Sequence, residues 1–293
     1  MRELIEKAFV LTEALPYIRR FSGATFVVKY GGHAMSDVAL AASFARDIAL
    51  LKYVGIQVVV VHGGGPQIDA TLDAMGIKSE RVDGLRVTDE RTMEVAEMVL
   101  CGRIRGQLVS LLCASGARAV GFSGRDDGML LARRMGVTKS KSGAEVDLGL
   151  VGEMTAVRAD LLDRVLTGGF VPVVSPVAVS EAGEPLNVNA DYVAGWVASA
   201  LRAEKLVLMT DVEGVRDANG RFVSSLDVPT AARWIDEKIV AGGMIPKIQC
   251  ASDAISRGVG KVHIIDGRMQ HAVLLEIFTD RGVGTEIVAK AMG

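Results

Sequence analysis

Cysteine is scarce in this chain of 293 residues: Cys101, Cys113 and Cys250 are scattered, with no C-x-x-C pair. An odd, unclustered set argues against a disulfide framework or a cysteine zinc site and suits buried thiols in a reducing compartment. A surplus of positive charge is missing too. Lysine and arginine number 33 against 35 acidic residues, a formal net charge of -2. That balance does not neutralise a nucleic-acid backbone, so no nucleic-acid partner is expected. No apolar run reaches the roughly 18 residues a membrane helix needs, so no membrane partner is expected either. The opening MRELIEKAFVLTEALPYIRR is amphipathic and lacks the continuous apolar core and small-residue cleavage site of a secretory leader. A cytoplasmic protein is expected.

Several nucleotide and hydrolase signatures are absent. There is no G-x-x-x-x-G-K-[ST], which excludes a P-loop. Neither Gly258-Val259-Gly260 nor Gly282-Val283-Gly284 completes G-x-G-x-x-G. His62-Gly63-Gly64-Gly65 resembles a hydrolase oxyanion loop, but Gly121-Phe122-Ser123-Gly124 has the wrong spacing to supply its serine.

What is present is apolar and patterned. Hydrophobic residues make up 49% of the chain, enough for a large core in one or two domains. A helix is expected over 3–18, ahead of any strand. Strands at 25–30, 56–61, 117–122 and 170–174 alternate with helices at 37–53, 66–75, 89–114 and 159–167. Asp37, Leu40, Phe44 and Ile48 are placed on the inner face of the second helix. A hairpin is expected within 129–153, around KSKSG, and another from Val177 to Asn189. Helices at 190–202, 227–235 and 246–257, strands at 205–210 and 261–265, and a helix–strand unit at 270–288 complete the chain. Alternation with β-branched strands predicts an α/β fold, its largely parallel sheet covered on both faces. A boundary near 176–182 divides the chain into lobes 1–180 and 181–293.

Two strands, FVVKY and VVVVH, end in bare glycine. In such sheets ligands sit at the strands' carboxyl ends. There glycine lets backbone N–H groups approach an anion, and the next helix adds its positive end. Pro66 suits the first turn of that helix. A tight turn needing φ > 0 explains the same glycines equally well. Lys29 at the first strand end is costly to bury without a partner. Lys247, in AGGMIPK, sits in the first turn of a helix, against the dipole, which an intervening anion would relieve. Asn187, Asn189 and Asp191 alternate along a strand end that opens a helix, although Asp191 also suits a helix cap. Strand KLVLMT ends at Asp211-Val212-Glu213-Gly214-Val215, as suited to a simple acidic turn as to a ligand.

Six segments stand in one order: VVKYGGHAM (27–35), VVVHGGGPQI (59–68), GLRVTD (84–89), LNVNAD (186–191), LVLMTDVEGV (206–215) and GGMIPK (242–247). Over nearly the whole chain they resemble the amino-acid kinase family, and GLRVTD and LNVNAD resemble its members that accept N-acetyl-L-glutamate. The resemblance implies a three-layer α/β/α sandwich with an N-terminal helical extension. It implies transfer of the ATP γ-phosphoryl group to the γ-carboxylate of N-acetyl-L-glutamate, a step of arginine synthesis. A carboxylate nucleophile needs no general base, and the reaction asks chiefly for alignment and positive charge. By resemblance, Lys29 and Lys247 hold opposite sides of the transition state and Asp191 orients them. Gly31, Gly32 and Gly64 donate N–H bonds to the moving phosphoryl. Gly64, Gly65, Arg86 and Asn187 hold acetylglutamate. Thr210, Asp211, Val215, Gly243 and Met244 line the ATP site. Mg2+ rides on the ATP phosphates, with no protein metal ligand. Neither His33 nor His62 is given a catalytic role.

The same resemblance makes lobe 1–180 the acetylglutamate-binding and dimerisation lobe and 181–293 the ATP lobe. The extension resembles that of arginine-inhibited members, in which helices interlace dimers into hexamers. L-Arginine is the expected inhibitor, with Tyr17, His271, Glu276 and Gly284 as contacts, and a nitrogen-regulatory protein remains open as a partner. Two rivals stand beside this reading: a kinase with glutamate or aspartate as acceptor, and a non-catalytic arginine sensor.

Overall fold

The computed structural model describes residues 2–140, 143–279 and 282–290, apart from the side chains of residues 2–11 and His33. Lys141 and Ser142 of the expected hairpin, and Asp280 and Arg281 near the C-terminus, lie outside the described residues. Helix α1 (Arg2–Phe21) opens the chain, followed by β1 (Thr25–Tyr30), α2 (Val38–Tyr53), β2 (Gln57–His62) and α3 (Gly65–Ala74). The hairpin β3 (Arg81–Val82) and β4 (Leu85–Arg86) precedes α4 (Glu90–Glu97) and α5 (Arg105–Ala114). Next come β5 (Ala119–Ser123), β6 (Leu130–Arg134), β7 (Val137–Lys139), β8 (Glu145–Asp147), β9 (Gly152–Val157) and α6 (Asp160–Thr167). Then β10 (Val171–Ser175), β11 (Val177–Val179), β12 (Pro185–Asn187), α7 (Ala190–Ala200) and β13 (Lys205–Thr210) follow. The last part holds β14 (Val215–Arg216), β15 (Phe222–Val223), β16 (Ser225–Asp227), α8 (Val228–Asp236), α9 (Met244–Ser256), β17 (Lys261–Asp266), α10 (Ala272–Ile277) and β18 (Thr285–Val288).

Eight strands form the main sheet in the order β16-β18-β17-β13-β1-β2-β10-β5. Every neighbouring pair in it is parallel except β17 with β18. Strands from both sides of residue 180 share this sheet, with β1 between β2 and β13. A four-stranded sheet, β12-β11-β6-β9, stands beside it.

Period-two alternation sends neighbouring residues of β1 and β2 to opposite faces. Val27, Val59 and Val61 join a core with Ile68 and Leu72 of α3, Val193 of α7 and Ile248 of α9. Phe26, Val28, Val58 and Val60 join another with Phe44 and Ile48 of α2, Leu108 of α5 and Val273 of α10. Fully burying each such side chain stabilises by about 1.5–3 kcal/mol. These two cores make the three layers. The last turn of α1 packs on its own chain, with Phe21 edge-on to Phe26 at 5.3 Å.

Two local expectations need correction. Asp37 does not face the core of α2 but caps it, accepting from Leu40 N at 2.9 Å. A short carboxylate satisfies an orphan helix donor better than it tolerates burial. Residues 89–114 are not one regular helix: a π-helical segment at Met98–Ile104 separates α4 from α5. Such a widened turn fits an extra residue without breaking the helix.

Candidate active site

Lys29 shares its face of β1 with Val27, the face covered by α7 and α9. There it meets the first turns of both helices. Its Nζ lies 3.0 Å from Asp191 Oδ1 on α7. Lys247 Nζ, on α9, lies 2.8 Å from Asp191 Oδ2. One carboxylate thus bridges two ammonium groups brought from opposite ends of the chain. Asp191 is free for this because Asn189 is the helix cap, its side chain accepting from Asp191 N at 2.8 Å. Cys250 Sγ, one turn beyond Lys247, donates to Asp191 O at 3.0 Å. Burial pushes the Asp191 carboxyl upward in pKa, but the ammoniums of Lys29 and Lys247 outweigh it and hold the group at about 2. It is therefore an anion at any physiological pH.

The glycine turns close around this bridge. A Cβ on Gly31 would lie 2.6 Å from Lys29 Nζ, and one on Gly64 2.5 Å from Ile104 Cδ1 and 2.7 Å from Leu100 Cδ2. At either position an added side chain would push a neighbouring side-chain end aside. Gly32 has φ 71, and its missing side chain leaves room for the Asp211 carboxylate. Gly63 N donates to Tyr30 O at 2.8 Å, which locks the two turns together.

A cavity of about 270 Å³ opens here, lined by Lys29, Asp191, the turns 31–32 and 63–65, Arg86, Asn187 and Asn189. The volume suits a small polar metabolite. Arg86 is 5% exposed, donates to Gly65 O at 3.1 Å, and contacts Asp69 and Ser79 closely. Asn187 Nδ2 donates to Thr88 Oγ1 at 3.2 Å. Arg81 also lines the cavity and pairs with Asp69 at 2.8 Å. Sequence reasoning missed it. The signal was Asp83-Gly84, whose φ values of 51 and 87 make the tight turn that sets Arg81 across from Arg86. Burial raises the Asp69 pKa, but hydrogen bonds from Arg86 and Arg81 bring it below the ordinary carboxylate value.

A second hollow lies past Gly32, lined by Asp211, Gly214, Val215, Arg216 and Met244. Thr210 ends β13 and Gly243 caps α9, so both flank this hollow rather than line it. Helix α9 begins at Met244, two residues earlier than expected, and Lys247 stays in its first turn.

A third cavity, of about 750 Å³, lies between the end of α1 and the C-terminal strands. Tyr17, Arg20, Lys205, Lys261 and Glu276 line it. Lys205 Nζ is 2.8 Å from His263 Nε2, and His263 Nδ1 is 2.5 Å from Glu276 Oε1. Glu276 Oε2 accepts from Val283 N at 2.7 Å and Gly284 N at 2.9 Å. Burial, helped by Lys261, lowers the Lys205 pKa to about 8. His271 is not on this cavity. Its Nδ1 lies 2.6 Å from the buried Asp47 of α2 and its backbone N donates to Ser43 Oγ at 2.9 Å, so it clasps α10 to α2. A strand-following helix start sits where the packing of α2 puts it, which the local sequence does not reveal.

A lysine–carboxylate–lysine bridge beneath glycine turns, at the carboxyl ends of parallel strands, defines a phosphate-handling α/β protein. The amino acid kinase family model matches residues 24–266, and the chain belongs to that family. The acetylglutamate kinase of Geotalea uraniireducens (strain Rf4) is 55% identical over 98% of this chain and 100% of its own length. That of Geobacter metallireducens (strain ATCC 53774 / DSM 7210 / GS-15) is 56% identical over 98% and 99%. Among solved structures, N-acetylglutamate synthase from Neisseria gonorrhoeae with coenzyme A and N-acetyl-glutamate aligns with a TM-score of 0.85 at 29% identity. That alignment covers 97% of this chain, which spans 64% of the synthase. The same synthase complexed with coenzyme A and L-arginine aligns with a TM-score of 0.82 at 28% identity, covering 97% and 66%. A carbamate kinase from Giardia, at 16% identity, TM-score 0.67 and coverage of 92% and 100%, shares the fold.

Proposed function

We propose that the protein transfers the γ-phosphoryl group of ATP to the γ-carboxylate of N-acetyl-L-glutamate, giving N-acetyl-L-glutamyl 5-phosphate for arginine synthesis. The observation that carries the reading is Asp191 holding Lys29 and Lys247 at 3.0 and 2.8 Å, with Lys29 and Asp191 on the wall of the small cavity. The acetylglutamate kinases above, similar over their full lengths, support the acceptor. Lys29 and Lys247 supply the positive charge that a migrating phosphoryl group requires, and Asp191 keeps both aimed without competing for a proton. Gly31, Gly32 and Gly64 offer backbone N–H groups. Arg86 presents a fork to the substrate carboxylate, with Asn187, Gly64 and Gly65 around the remainder. The hollow at Asp211, Val215 and Met244, flanked by Thr210 and Gly243, takes the nucleotide. Mg2+ carried on its phosphates neutralises part of their charge, and no protein ligand is assigned to it.

On this reading lobe 1–180 binds acetylglutamate and forms a dimer, and lobe 181–293 binds ATP. The third cavity takes L-arginine as inhibitor, with Tyr17, Glu276 and Lys205 about it, Gly284 behind Glu276 and His271 left to its clasp. A synthase relative seen with L-arginine supports that assignment, as does a cavity holding both a carboxylate and cations for a zwitterionic amino acid. The protein is cytoplasmic and forms a dimer-based oligomer, a hexamer through α1; a nitrogen-regulatory protein is a further partner to test. Hydroxylamine trapping of acyl phosphate tests the activity. N-Acetylglutamate with MgATP is expected to give the hydroxamate; a preference for free glutamate or aspartate, or no product, would reject the assignment.

A further inference from the structure

We propose that His62 is a positioning residue of the phosphoryl-transfer site, its Nδ1–H holding the Gly63–Gly64 peptide so that the Gly64 N–H faces the cavity. This rests on the reading of function above. His62 ends β2 and is wholly buried behind the glycine turn. Its Nδ1 lies 2.8 Å from Gly63 O, and its Nε2 lies 2.9 Å from Ser175 Oγ at the end of β10. A carbonyl oxygen only accepts, so the proton belongs on Nδ1. Nε2 of the neutral ring then accepts from the Ser175 hydroxyl, which shares its proton with Leu100 O of the π-helical segment at 3.2 Å. Burial, with the charge of Arg105, pushes the ring's pKa down to about 4, which keeps it neutral at physiological pH.

The chain has no cis peptide bonds among the described residues, and in a planar trans peptide the C=O and the following N–H point in opposite directions. Drawing Gly63 O back onto His62 therefore turns the Gly64 N–H away from the histidine, to the side of the cavity. Gly63 N is already committed to Tyr30 O at 2.8 Å. Leu100 and Ile104 fill the space where a Gly64 side chain would stand. The loop is thus gripped by β1, by the π-helical segment and by His62. A glycine pair readily flips the peptide between its residues, because both signs of φ are open to it. His62 is the group whose hydrogen bond opposes that flip.

Two near-isosteric variants separate the roles of the ring nitrogens. In His62→Asn the side-chain amide reaches the place of Nδ1; in His62→Gln it reaches the place of Nε2. His62→Asn is expected to keep kcat within about threefold of wild type, and His62→Gln to lose about ten- to hundredfold, the two KM values holding within about twofold. Ring ¹⁵N shifts of His62 in the unsubstituted protein are expected to report the Nδ1–H tautomer. An Nε2–H tautomer overturns the proposal even if neither variant folds. Equal kcat in both folded variants, at equal melting temperature, overturns it too. Failure of the wild type to make acyl phosphate rejects the functional reading instead, and the tautomer still decides what holds the loop.

Discussion

Arg86 stands tethered on the cavity wall. Asp69 sits between Arg86 and Arg81, so one carboxylate orients two guanidinium groups on the cavity wall. Preorientation of this kind lowers the ordering cost of binding a planar anion. Arg81→Gln would leave Asp69 to Arg86 and the Ser79 hydroxyl and let it draw Arg86 away from the cavity. The KM for acetylglutamate is expected to rise about five- to tenfold, with kcat and the KM for ATP within about twofold, in steady-state assays. An equal rise in the KM for ATP would mark general damage instead. The two lysines of the bridge were legible because one at a buried strand end and another against a helix dipole each demand an anion. Asp191 between them was implied by the family resemblance, and its own segment suited a helix cap as well. Arg81 was not legible, since its place depends on a cross-strand register, and neither was the use of Asp47 by His271, since those residues lie far apart in the chain.

Helix periodicity across 89–114 was plain, but the π-helical segment was not. One residue more per turn leaves an apolar pattern almost unchanged over so short a stretch, and what it alters is which side chains reach Gly64. Gly64→Ala is expected to displace the anion-facing loop and lower kcat at least about tenfold. Adding Ile104→Ala to that variant removes the nearest clash, and part of the activity should return. Hydroxamate assays on the two single variants and the double would reveal it; purely additive losses would show that Ile104 and Gly64 do not meet. Buried β-branched runs placed β1, β2, β10 and β13 within a residue or so, because parallel strands covered on both faces have little other composition open to them. The start of α9 was misplaced because Gly243 caps with backbone alone and leaves no side-chain signal.

Across the whole molecule, buried ionisable groups set the response to acid. His62 has its pKa lowered to about 4 in the fold against about 6.5 in the unfolded chain. Between those values the unfolded chain holds a proton that the folded one refuses, so stability falls as pH is lowered through that window. The largest effect is about 3 kcal/mol, with His263 acting in the same sense and Asp47, raised by burial, in the opposite one. Asp191, held down near 2, loses its contribution only well below pH 4. Urea unfolding at pH 7 and pH 5 is expected to show the loss; equal midpoints would contradict it. L-Arginine should raise the melting temperature, by the equivalent of about 2.7 kcal/mol at a hundred times its Kd. Lys205→Met should abolish that rise. The alternation of strands and helices announced the architecture, while the order of the strands waited on tertiary packing.

Strand β1 lies mid-sheet, hydrogen-bonded to β2 on one side and to β13 on the other. Its second partner leaves the ribosome only when residues 205–210 are made. Until then a nascent chain carries an unpaired row of backbone amides beside Phe26, Val27 and Val28, open to any other strand in reach. Closing the sheet on both sides of β1 therefore waits, during synthesis, for the later half of the chain.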